Sequence, residues 1–132
     1  MKAPRAAFQI FYESKGRSDF SGLPFRKMKD AALGKKYNLN LIFTTSRQIR
    51  RLNRTYRGRD EATDILTFPL DPATGEIYIS LREAKIESVK FARKPKNFVQ
   101  FLFIHGLIHL KGYDHGSTME HEESKIRKQF GI

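Results

Sequence analysis

Residues 96–115 read KNFVQFLFIHGLIHLKGYDH. From Phe98 to Leu110 the run is apolar almost all round, interrupted only by Gln100, His105, Gly106 and His109. A helix with no polar side belongs in the middle of a domain, covered on most faces. Gly112 is placed to end it, because glycine enters the left-handed conformation that closes helices. The rest of the chain must therefore supply covering layers.

Downstream, Ser117 and Glu120 have the spacing of a capping box and predict a final polar helix to about Gln129. Upstream, Ser80 and Glu83 repeat that spacing and predict a helix that Pro95 must end. Gly75 to Ser80 (GEIYIS) reads as a short strand after a turn at Asp71-Pro72, and Thr63 to Leu70 as another. Thr45 or Ser46 caps a helix in which Ile49, Leu52 and Tyr56 recur at helical spacing, and Gly58 breaks it. Leu39 to Thr44 (LNLIFT) and Ala6 to Tyr12 have strand character. Between them Gly16, Ser18, Ser21 and Gly22 mark a loop, and Pro24 to Lys36 a short helix with Pro24 in its first turn. Strands interleaved with helices predict an α+β fold, an α/β-type sandwich in which a small sheet packs against several helices. The order of the strands is not readable.

With 132 residues, 39% of them hydrophobic and 11 phenylalanines, the chain can build one core, and a single domain over residues 1–132 is expected. The absence of cysteine excludes disulfides and thiolate metal sites. Twenty-five Lys and Arg against 14 Asp and Glu leave a net charge of +11. A positive field of that size draws polyanions, so nucleic acid is the natural partner. Met1 to Ser14 lacks the apolar core of a signal peptide, and no run approaches the ~20 apolar residues of a membrane span. A cytoplasmic protein without a membrane partner is the expectation.

Three of the four histidines fall within HGLIHLKGYDH, residues 105–115. On a helix, His105 and His109 lie one turn apart on one face. The reversal at Gly112 returns His115 towards the same ion. Three imidazole nitrogens make an incomplete tetrahedron whose fourth position is left for water, the arrangement of a catalytic zinc. Three histidines also suit other divalent transition metals. The spacing matches the HExxHxxGxxH pattern of metzincin proteases, but Gly106 stands in place of the glutamate that shuttles the proton in peptide hydrolysis. Asp114, beside His115, is placed to take a proton or orient a ligand, and equally to serve as a turn residue.

HGLIHLKGYDH resembles the signature of the YbeY family of bacterial single-metal endoribonucleases. Leu52 to Leu70 (LNRTYRGRDEATDILTFPL) and Gly75 to Ser80 resemble two further motifs of that family, in the same order. The resemblance runs from about Thr44 to Glu123. It implies metal binding by His105, His109 and His115, one zinc ion per chain, and a functional arginine at Arg57. It also implies a central mixed sheet of about four strands with about five helices, the metal site lying on the buried helix and the loop after it. The activity implied is cleavage of single-stranded RNA during ribosomal RNA processing (16S 3′ end maturation) and ribosome quality control. Ribosomal RNA precursor, the small ribosomal subunit and its maturation factors would be partners, and DNA would not. Leu107, Ile108 and Thr67 depart from the residues usual in the family, and Leu107 is expected to alter the packing of the metal helix.

Within that reading Arg57 is a phosphate ligand, since a guanidinium fork matches phosphate and keeps its charge as the transition state builds negative charge. Arg47, Arg50, Arg51 and Arg54, with Lys90, Lys94, Lys96 and Lys111, form a candidate RNA track. Tyr56, Tyr78 and Tyr113 are candidates for base stacking. His121 reads as an exposed residue of the last helix. Two other functions stay open: a zinc peptidase or amidase, and a ribosome assembly factor whose metal only stabilises the fold.

Overall fold

The computed structural model describes residues 8–13, 20 and 22–132. The expected strand residues Ala6 and Ala7, and the expected loop residues Gly16, Ser18 and Ser21, lie outside them. Four strands form one sheet: β1 (Phe8–Tyr12), β2 (Asn38–Thr44), β3 (Ile65–Asp71) and β4 (Thr74–Ser80), in the order β1-β2-β4-β3. β1 pairs parallel with β2 and β2 parallel with β4, while β3 runs antiparallel to β4 at the edge. That edge accommodates Pro69, which cannot donate to a ladder, and the register shifts between Pro69 and Asp71.

Among the described residues five helices accompany the sheet: α1 (Phe25–Leu33), α2 (Ser46–Arg57), α3 (Leu81–Lys90), α4 (Pro95–Leu110) and α5 (Ser117–Phe130). The run quoted above is α4, and it lies where its composition demands, packed against α1, α3, α5, β3 and β4. Its buried residues include Phe98, Leu102, Phe103, Ile104, Leu107 and Ile108, which share one cluster with Leu39, Leu41 and Phe43 of β2 and Ile77 and Ile79 of β4. Alternation along the strands turns Ile42 and Leu66 to the other face of the sheet, outside that cluster. There α2 packs on β3 and β4.

Helix ends follow local chemistry, with informative exceptions. Thr45 caps α2 by accepting from the Gln48 N–H at 3.1 Å, and Gly58 closes it at φ +68°. α1 stops at Leu33 rather than Lys36, because Gly34 takes φ +88°. Ser80 stands at the N-cap of α3 but does not cap with its side chain. Its hydroxyl donates to Glu83 instead, as does the Ser46 hydroxyl at 2.7 Å, so Glu83 joins α3 to α2. α3 ends at Lys90 without help from Pro95, which opens α4 at a position where its missing N–H costs nothing. The N-cap of α5 is Gly116, and Ser117 is already helical. Among the described residues no helix is long and apolar enough to cross a membrane.

Candidate metal centre

His105 and His109 project from α4, one turn apart and half-buried, while His115 stands exposed on the segment between α4 and α5. Leaving α4 requires a positive φ at Gly112 (+107°), and the chain re-enters helix after Gly116 (+152°). The three rings converge, with centroids 4.7 Å apart for His105–His109, 4.6 Å for His109–His115 and 5.4 Å for His105–His115. One ligand atom from each lies within 4.8 Å of the others. Nitrogens bound at ~2.0–2.1 Å around a tetrahedral ion stand ~3.3 Å apart, so small ring rotations suffice to close the set.

The donor chemistry fits a divalent metal. Burial, and then the neighbouring His105 and His115, hold His109 below the usual imidazole range, which keeps it a neutral lone-pair donor at pH 7. His105 Nδ1 lies 3.1 Å from Oε1 of Glu123, a buried carboxylate of α5, which leaves Nε2 of that ring for the ion. Arg127 in turn contacts Glu123 at 3.5 Å and Glu120 at 2.7 Å.

Position 106 explains why α4 sits so close to the sheet. A Cβ on Gly106 would lie 3.0 Å from Ile77 Cδ1 and Thr67 Cγ2 and 3.1 Å from Ile65 Cδ1. This helix face is pressed onto β3 and β4, so a glutamate here would be driven into the core. The proton shuttle of the metzincins has no room at its usual place.

Arg57 ends α2. Its Nη2 donates to the Thr67 carbonyl of β3 at 3.1 Å, and the rest of the guanidinium makes no other hydrogen bond among the described residues. It borders a hollow of about 460 Å³ with Arg59, Asp64 and Ile65. A second hollow, of about 390 Å³, contains His105 and His115 and shares Asp64, Ile65 and Glu87 with the first. Arginine and histidines therefore border adjoining hollows. Asp114 is exposed and makes no hydrogen bond or ion pair among the described residues. His121 is exposed on α5.

Arg47, Arg50, Arg51 and Arg54 are all exposed on α2. Asp60 pairs with Arg50 at 2.9 Å and Arg54 at 3.4 Å, and the Arg50 bond holds the Asp60 carboxyl below its ordinary range. Tyr56 (α2) packs edge-on against Phe68, which in turn meets Tyr78 on the same side of the sheet. Burial, then the Glu76 carboxylate, pushes the Tyr78 hydroxyl up to about 12. Tyr113 packs against the main core.

Glu123 and Phe91 are the residues that sequence reasoning passed over. Glu123 had a signal, since it interrupts the apolar stripe Met119, Ile126 and Phe130 of the last helix. Phe91 had none, because an exposed phenylalanine reads like any core residue.

The family model for endoribonuclease YbeY matches residues 21–131. The endoribonuclease YbeY of Alkaliphilus metalliredigens is 36% identical over 104 residues, covering 70% of this chain and 67% of that protein. That of Nautilia profundicola is 38% identical over 99 residues, covering 69% and 71%. For Acholeplasma laidlawii the figures are 37% over 90 residues, with 65% and 66% covered, so the match spans about two thirds of these relatives' length. The solution structure of TM1509 from Thermotoga maritima aligns with a TM-score of 0.66 at 28% identity, over 95% of this chain and 90% of that one. A family model covering nearly the whole described fold agrees with the motifs around Arg57 and the histidines, and the chain belongs to the YbeY endoribonuclease family.

Proposed function

We propose that this chain, as one domain over residues 1–132, is a zinc-dependent endoribonuclease that cuts single-stranded segments of ribosomal RNA precursors. The place of action is the cytoplasm, in 16S 3′ end maturation and ribosome quality control. The small ribosomal subunit and its maturation factors are the partners. The observation that carries this reading is the convergence of three histidines beside the hollow that Arg57 borders.

A zinc ion held by His105, His109 and His115 supplies Lewis acidity towards water and a phosphoryl oxygen. The chain does the rest. Arg57, braced against β3 through Thr67, donates to the non-bridging oxygens and keeps its charge as the phosphorane forms. Glu123 holds His105 in one tautomer. Asp114, next in sequence to His115, would relay a proton to solvent. Arg47 and Arg51, free of ion pairs among the described residues, extend the positive track for the strand.

The test is digestion of a ribosomal RNA precursor fragment by wild type, His109→Ala and Arg57→Ala, purified identically. Wild-type cleavage should be lost in both variants, with zinc retained by Arg57→Ala. Equal cleavage by all three would mean a contaminating nuclease and would end the proposal. Unfolding on zinc removal would instead favour the fold-stabilising role.

A further inference from the structure

The hollow of about 390 Å³ beside the histidines lies within the volume range of small-molecule sites. Its floor is apolar, built from Phe98, Phe101, Leu102 and Met119, and Phe91 stands at its rim. The Phe91 ring is 54% exposed, although it lies 5.2 Å from Phe98 and 5.8 Å from Phe101 by ring centroids. The turn after it is pinned by Ala92 at φ +53°, a left-handed conformation that L-residues rarely adopt. Arg93 N–H reaches back to the Ser88 carbonyl at 3.0 Å, closing that turn. An aromatic face is thus held open at the mouth of a cavity.

Charge says which part of an RNA strand belongs there. In a chain of net charge +11, no lysine or arginine lines this hollow, whereas Asp64, Glu87, Glu120 and Glu123 do. The cations that answer those carboxylates, Lys90 on Glu87 at 2.8 Å and Arg127 on Glu120 at 2.7 Å and Glu123 at 3.5 Å, line neither hollow. Asp64 pairs with no cation among the described residues. Away from His105 and His115 at the metal centre, the only charged side chains lining this hollow are carboxylates, whereas two arginines, Arg57 and Arg59, line the one next door. A strand laid across both hollows places its backbone against the arginines and a base in the acidic, aromatic one.

We propose that this hollow receives one nucleobase of the RNA strand, stacked on Phe91, with the Asp64 carboxylate accepting from an exocyclic amine. Cytosine, adenine and guanine carry that amine. Uracil presents carbonyl oxygens instead and is disfavoured. This assignment rests on the nuclease reading and adds base selection to it. Base–aromatic stacking is worth ~1–3 kcal/mol by alanine substitution, roughly fivefold to more than a hundredfold in affinity.

The chain contains no tryptophan, so Phe91→Trp creates a single tryptophan in the rim, excited selectively over the five tyrosines. The titration uses Phe91→Trp, His109→Ala and, in parallel, metal-stripped Phe91→Trp, so that RNA stays intact even if one preparation folds poorly. Oligocytidylate should quench the tryptophan saturably, oligouridylate at least about fivefold less tightly, and inorganic polyphosphate not at all. In the digest, Phe91→Ala should raise KM about tenfold with little change in kcat, and Phe91→Tyr should restore it. Quenching by polyphosphate, or none by RNA that anisotropy shows to be bound, overturns the proposal. Equal quenching by the two oligonucleotides overturns the role of Asp64. Base-dependent quenching by a wild-type-competent fold that cuts no RNA would sink the nuclease reading and leave the base site standing.

Discussion

Replacing Glu123 tests how far the metal centre depends on a residue that touches no metal. Its carboxylate, 5% exposed, lies 3.1 Å from His105 Nδ1, where it accepts the ring proton and makes Nε2 a better donor. Removing such a partner generally costs 10- to 100-fold in metal affinity, about 1.4–2.7 kcal/mol. Glutamine keeps an oxygen for the Nδ1 proton and loses only the charge, so Glu123→Gln should weaken zinc binding about tenfold. Alanine loses both, which predicts a fall of about a hundredfold for Glu123→Ala. Arg127 retains Glu120 at 2.7 Å in either variant, which limits the disturbance to α5. Competition with a chromogenic chelator reads the affinity, and melting of the metal-free proteins reads the fold. If Glu123→Ala binds zinc within twofold of wild type while its metal-free form melts early, the carboxylate is structural and the reasoning fails.

Two more expectations concern stability. The Tyr37 hydroxyl is buried without a hydrogen-bond partner among the described residues, and such groups cost ~1–3 kcal/mol, so Tyr37→Phe should raise the melting temperature by an amount equivalent to about 1 kcal/mol. An unchanged or lower melting temperature would mean the hydroxyl is satisfied in solution. Burial, and then Glu87, hold the Asp64 carboxyl above its ordinary range. A raised carboxyl pKa means that the folded chain binds this proton more tightly than the unfolded one. The group therefore favours folding at low pH, and that advantage is lost as pH rises through the folded pKa. Asp64→Asn should gain stability relative to wild type as pH rises above the ordinary carboxylate range, read from urea midpoints, and a constant difference would refute the assignment.

What could be read in advance follows from how local each determinant is. The histidine site was legible because its geometry is set by one helical turn and one glycine, both visible in eleven consecutive residues. α4 was legible because a run apolar on every side has only one place to go. The capping signals at Ser80 and Ser117 misled in detail. A hydroxyl near a carboxylate three residues on has a second option, donating to it, and Ser80 takes that option. Pro95 was read as a terminator, yet at the first turn proline is an initiator, and only the length of the preceding turn decides between them. Strand order was out of reach, since β2 pairs with β4 across the intervening α2 and β3. Leu107, expected to alter the packing of the metal helix, is fully buried in the core cluster.

The triad is anchored unevenly, and that has a kinetic meaning. His105 and His109 ride on a helix that Gly106 locks against β3 and β4, so their spacing is fixed before any ion arrives. His115 hangs from an exposed stretch bounded by two glycines of positive φ. Capture then begins on a ready-made pair and is completed by a third ligand from the loop. On-rates then belong to the helix and residence time to the loop, so replacing Gly112 or Gly116, whose positive φ an L-residue adopts only with strain, should shorten how long the ion stays more than it slows how fast it comes.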